Sequence, residues 1–359
     1  MPYESVSGSF ERASRTGHAY AAVKAAADRA QFYVPADNVA DLSWLAPRIR
    51  RHGSLPQTSP PLLAALAIDG SRMVVPVREG LPSVRYGYAQ ASAAFLNLEI
   101  LESQRAERFV DPVALARAAS TALVSLDLPT AGAYTRRGAS IQESWRESID
   151  RIFRSKRVEV NRLNQSLLDL LMLLHGVPGK PAAFLDANCP SESCEMTVVA
   201  TPPSGVDCPA CGSRIYPTDV LRVHEEVVEE GSNEEPLGRL MQVVELLVLV
   251  GLATLLWEQA RNTLLAQTLF IMDGPLAVYG PPAKLRARAL EYFHAMSGAT
   301  PGDGPYICGI EKSGALVDYA RSLVLWGGLE PGDLLIVDAD VIATANHATN
   351  PIAYGSETY

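Results

Sequence analysis

Four cysteines fall within 23 residues, as Cys189-x4-Cys194, a 13-residue spacer, then Cys208-x2-Cys211. Each pair has the spacing of a short metal-binding knuckle, and the spacer is long enough for a hairpin. Four thiolates complete a tetrahedral zinc site and leave no open position for catalysis. A structural zinc ribbon over residues 186–217 is the reading; a redox pair in Cys-Pro-Ala-Cys is the alternative. The residues around it are not basic, which favours a scaffold or a protein contact over a nucleic-acid contact. Cys308 stands alone.

A second chemistry is carried by acids. Two apolar runs end in Asp-Gly: LLAALAIDGSR, with Asp69-Gly70, and FIMDGPLAVYG, with Asp273-Gly274. Two carboxylates at the ends of two strands could hold hard divalent cations, which take oxygen ligands. Such ions can activate water and stabilise the leaving oxygen in phosphodiester cleavage. The competing reading is that Asp-Gly is simply a turn signal after a strand. A third acid is needed. Glu245 lies inside an apolar helical run, where an unpaired carboxylate is costly; a metal would relieve that cost, and so would a surface position or pairing with Arg239. Glu258 is its rival. Lys312 in CGIEKSG could hold a phosphate or be a solvated lysine. His347 could serve as acid or base or be a surface histidine. His224-Glu225 lacks the second histidine of a zinc protease. Asp338 and Asp340 read as turn acids.

These residues need elements to position them. Residues 11–32 read as a helix. PLLAALAID, RMVVPVREG and SVRYGYAQASAAFL read as strands of a meander. A helix is expected from Asp111 to Ala119 and another, long one over 141–176, ended by Gly176 and Pro178. PTDVLRVHEEVVEE restarts a helix with Thr218 or Asp219 as its cap. A long helix covers 236–265, followed by strand TLFIMD, a helix from Pro281, strand YICGIEK, a helix in SGALVDYARSLV and a strand in DLLIVDADVI. The expected parts are 1–110 (an N-terminal helix and half of a core), 111–185 (a helical insert), 186–217 (the ribbon) and 218–359 (the rest of the core). The fold class is α/β.

The chain has 359 residues and a net charge of −9. That charge argues against coating nucleic acid by bulk electrostatics, though not against admitting it through a local channel. No basic segment followed by an apolar one opens the sequence, so a cytoplasmic location is expected. MQVVELLVLVGLATLLW is interrupted by Glu245 and too short for the roughly 20 residues of a bilayer span, so a buried helix and no membrane contact are expected.

Taken in order, AIDGSR at 67–72, LMQVVE at 240–245, FIMDGPLAVYG at 270–280 and GIEKSG at 309–314 resemble the NurA nuclease family. CPACGSRIYPTDVLRVHE looks like the ribbon of its bacterial branch; SRTGH near the start and SWRESI at 144–149 extend the likeness. The resemblance implies an RNase H-like fold, a mixed sheet flanked by helices. It implies a manganese- or magnesium-dependent DNA nuclease acting on single strands and from double-stranded ends, in repair or anti-phage defence. It implies a homodimer working with a hexameric, DNA-pumping HerA-type ATPase. Asp69, Asp273 and Glu245 become the metal ligands, with Lys312 assisting. The family carries a late histidine and tyrosine, for which His347 and Tyr354 are the candidates, and its pattern continues beyond NPIAYGSETY into another strand. A non-catalytic adaptor of the same fold, docked on the ATPase ring and shaping its channel, is the alternative.

Overall fold

The structure is a computed structural model. It describes residues 42–346 except 55–60, 79, 106–118, 161–162, 192, 195, 197, 259–261, 275, 277, 279, 299–303 and 313. The expected helices at 11–32 and 111–119, His347 and Tyr354 therefore lie outside the described residues or nearly so.

The chain forms two compact units, residues 56–319 with 339–359, and residues 1–55 with 320–338. The larger is mixed α/β. Its five-stranded sheet uses β1 (Ala64–Arg78), β2 (Leu81–Asn97), β3 (Ala119–Ala131), β4 (Thr268–Asp273) and β5 (Tyr306–Ile310), in the order β5-β4-β1-β2-β3. β1, β2 and β3 are antiparallel neighbours, whereas β4 is parallel to both β1 and β5. The meander was expected as three strands; its first two are one strand, β1. β3 was not among them; it falls in the stretch expected to be a helical insert.

One expected boundary is corrected. Asp69-Gly70 does not end a strand: β1 runs on to Arg78, with Gly70 opposite Ala91 and Arg72 opposite Ala89. An antiparallel partner satisfies the backbone on both sides of the glycine, so no turn is needed. Asp273 does end its strand. Gly274 has φ +86°, a left-handed value that glycine adopts without steric cost, and its N–H donates to Ile310 O at 2.9 Å.

Helices pack on one face of the sheet. These are α1 (Ile141–Ser155), α2 (Leu167–Leu174) and α3 (Glu234–Glu258); α4 (Lys284–Ser297) joins the same core. α3 is long and apolar enough to cross a membrane by length and composition, but 78% of its apolar window is buried inside the protein. It is a core helix. Leu66, Ile68 and Phe270 of the sheet meet Leu240, Val243 and Leu247 of α3, all nearly sealed from solvent.

The helix expected over 141–176 is two helices separated by a hairpin. α1 starts on a capping box of Ser140 and Glu143 and ends at Lys156, whose backbone is extended. Residues Arg157–Val160 then pair with Leu163–Ser166. A second box, Ser166 with Asp169, opens α2. The S-x-x-E and S-x-x-D signatures were present in the sequence; continuous apolar spacing masked them. PTDVLRVHEEVVEE forms two 3-10 turns, Pro217–Leu221 and Val223–Glu226, because Arg222 between them has φ 57°. DLLIVDADVI contributes only Leu334–Leu335 as strand, paired with Ile49–Arg50 in the smaller unit, and Ala339–Asn346 is helical.

Candidate functional site

The parallel register of β1 and β4 pairs Ile68 with Met272. The next residue on each strand is an acid, Asp69 and Asp273, and their side chains hydrogen-bond to each other. Two carboxylates in such contact share a proton or need a cation. Burial, then the hydrogen bond and charge of Asp273, push the Asp69 carboxyl above its ordinary range. Asp273 moves the other way, chiefly because Lys312 hydrogen-bonds to it: Lys312 Nζ lies 2.9 Å from Asp273 Oδ1. Lys312 follows β5, so the parallel β4–β5 pairing delivers it.

Glu245 comes from α3 and is only 5% exposed. It reaches the sheet at Gly70, where a Cβ would fall on Glu245 Oε1 and crowd Met241. The glycine is needed here for close approach. Burial pushes the Glu245 carboxyl up to about 7, and the charges of Asp69 and Asp273 add to the rise; Arg72 offsets it by the smallest contribution. Glu245 is thus a buried acid facing two others with too little positive charge beside it. Arg239, its possible partner, instead pairs with Glu226 and Glu235. Glu258 is not in this centre. It sits 13 residues further along α3, roughly 20 Å away along the axis, where its Oε1 would be 3.2 Å from a Cβ on Gly179.

Arg72 was not singled out from the sequence. Period-two alternation puts it on the same strand face as Gly70. Its guanidinium lies over Gly238 of α3, in space that a side chain there would fill.

The cysteines form a different kind of centre. Their four sulfurs lie within 4.8 Å of one another, with Cys189–Cys211 at 3.5 Å and Cys194–Cys208 at 3.7 Å. Sulfurs bound tetrahedrally at ~2.3 Å from zinc are roughly 3.8 Å apart. The cluster is consistent with a structural metal site such as zinc. Short pairings, Leu185–Ala187 with Val199–Thr201 and Val206–Asp207 with Arg214–Ile215, frame the two knuckles. Hydrogen bonds to Ser213 bring the Cys211 thiol down to about 6, while burial raises Cys189 to about 12. Among the described residues this is the group of three or more potential ligands that converges so tightly; the acids are more widely set.

A buried ion pair ties α1 to the 3-10 turn after the ribbon, and one further hydrogen bond reaches the ribbon itself. Arg146 of α1 donates to both oxygens of Asp219, at 2.9 and 2.7 Å, and to Arg214 O at 2.6 Å. Asp219 is 2% exposed and also accepts from Tyr216 N. His224, already excluded as a protease ligand, is buried nearby, and burial lowers its pKa.

Comparison with known proteins returned no match among family models, curated proteins or solved structures.

Proposed function

We propose that this chain is a metal-dependent DNA nuclease of the NurA type. The observation that carries the reading is the convergence of Asp69, Asp273 and Glu245, three acids distant in sequence, with Lys312 on the same centre. Three antiparallel strands followed by two parallel ones, with acids on the central strand and its parallel neighbour, support an RNase H-like core. The motif order described above supports the family.

The donors suit manganese or magnesium. All are carboxylate oxygens, and the buried Glu245 lacks a neutralising partner sufficient to hold it ionised at neutral pH. Asp69, Asp273 and Glu245 would hold the cation. A bound divalent ion supplies Lewis-acid stabilisation of the phosphate and acidifies water. Lys312 is exposed and can exchange its contact with Asp273 for a phosphate oxygen, which positions the scissile group. Gly274 leaves the end of β4 bare, so a backbone phosphate can come close there. His347 would be a further acid or base.

With a net charge of −9, such a nuclease would receive DNA from a partner rather than capture it by a broad basic surface. A hexameric HerA-type ATPase, a homodimeric nuclease and a cytoplasmic role in DNA repair or defence complete the proposal. The ribbon serves as scaffold or partner contact.

The test is digestion of linear, end-labelled DNA with manganese, with and without an ATPase of that class, beside Asp69→Ala and Asp273→Ala. Cleavage by the wild type, lost in both variants while folding and zinc content persist, is expected. No cleavage under either condition, or equal cleavage by the variants, would replace the nuclease with the non-catalytic adaptor.

A further inference from the structure

A groove of about 250 Å³ opens beside the acid centre and counts Glu245 and Asp273 among its lining. Its remaining walls are mostly apolar. Gln242, Leu246 and Leu249 stand on successive turns of α3, and Leu290 and Phe293 of α4 and Ile307 of β5 line the same groove. This spacing puts each set on one face of its helix. Leu290 is 62% exposed, unusual for a leucine on a helix that otherwise buries its apolar side.

A scissile phosphate never arrives alone; each side carries a sugar and a flat base with apolar faces and a polar edge. We propose that this groove is a nucleobase subsite, holding the base of one nucleotide adjoining the scissile phosphate. Phe293 and Leu290 cover its faces, and the Gln242 amide, which both donates and accepts, meets its edge. The assignment rests on the nuclease reading, because the groove's continuity with Asp273 and Glu245 selects a nucleotide over an apolar peptide or a second copy of the chain. A base inside a duplex cannot enter. The substrate must therefore present an unstacked base, in a single strand or a frayed end.

The test uses a short single strand with 2-aminopurine placed at each position in turn, titrated with calcium in place of manganese. Fluorescence should change on binding at one position only, and Phe293→Ala should abolish that change. With manganese, an abasic residue at that position should slow wild-type cleavage roughly tenfold and leave Phe293→Ala unaffected. Leu290→Gln, at an exposed position where misfolding is not expected, should weaken the same signal. A uniform change at all positions, no change, or a signal that persists in both variants would overturn the subsite. Position-specific fluorescence without any cleavage would retain the subsite and reject the nuclease.

Discussion

The cysteine cage and the acid centre are built in opposite ways. The cage draws its four sulfurs from one short segment, and four thiolates would leave a bound zinc no open position. The acids come from β1, α3 and β4, with Lys312 beyond β5, and elements distant in the chain bring them together. Thiolates that converge without a metal repel once ionised, so a metal bound there would drive the ribbon to fold. The acids repel too, but the surrounding core tolerates the cost, and a groove stays open beside Glu245 and Asp273. A centre that is closed and local is suited to structure; one that is open and assembled from afar is suited to exchange ligands.

The contrast is open to direct measurement. Stripping the ribbon metal with a chelator should have the largest effect, on the order of 10 kcal/mol of local folding free energy. Hydrogen exchange should show amides of Val199–Thr201 and Arg214–Ile215 losing protection while β1 and β2 keep theirs. Equal loss in the sheet would mean that the cage is not local. Asp273→Asn should leave the metal content of the ribbon unchanged and reduce manganese-dependent cleavage on the order of a thousandfold.

Arg146→Ala strands Asp219 in a buried position and should cost about 3–5 kcal/mol in denaturant titrations. A change below about 1 kcal/mol would show that the ribbon's attachment does not depend on this pair.

Glu245 sets the pH response of the acid centre. Its folded pKa of about 7 lies above the ordinary 4.5. The folded state therefore binds the proton more tightly than the unfolded chain. Stability should be fully favoured below about pH 4.5 and fall as pH rises through about 7, by about 3 kcal/mol in metal-free protein. Glu245→Gln should remove most of that fall, and manganese should counter it in the wild type, binding more tightly above pH 7 than below. A pH profile identical in wild type and variant would place the carboxylate in solvent. The smallest effect is expected for Lys312→Ala, roughly tenfold in cleavage with little change in stability, because the side chain is exposed.

The local parts were legible in the chain alone. Cysteine spacing located the cage, strand-forming runs located the β1–β2 meander, and the apolar run with one acid marked α3. These signals are short-range, and each is a property of a few consecutive residues. Long-range packing set the rest. It extended β1 through Gly70, since an antiparallel partner on the far side overrides a local turn preference. It divided the expected 141–176 helix at a hairpin that the sheet and α2 accommodate. It chose Glu245 over Glu258, because the two are about 13 residues apart on one helix and only the first meets a glycine on the sheet. It also revealed Arg72 and the Arg146–Asp219 pair, whose partners lie far away in the chain. Charges act on whatever stands next to them in space, and the sequence order does not record that distance.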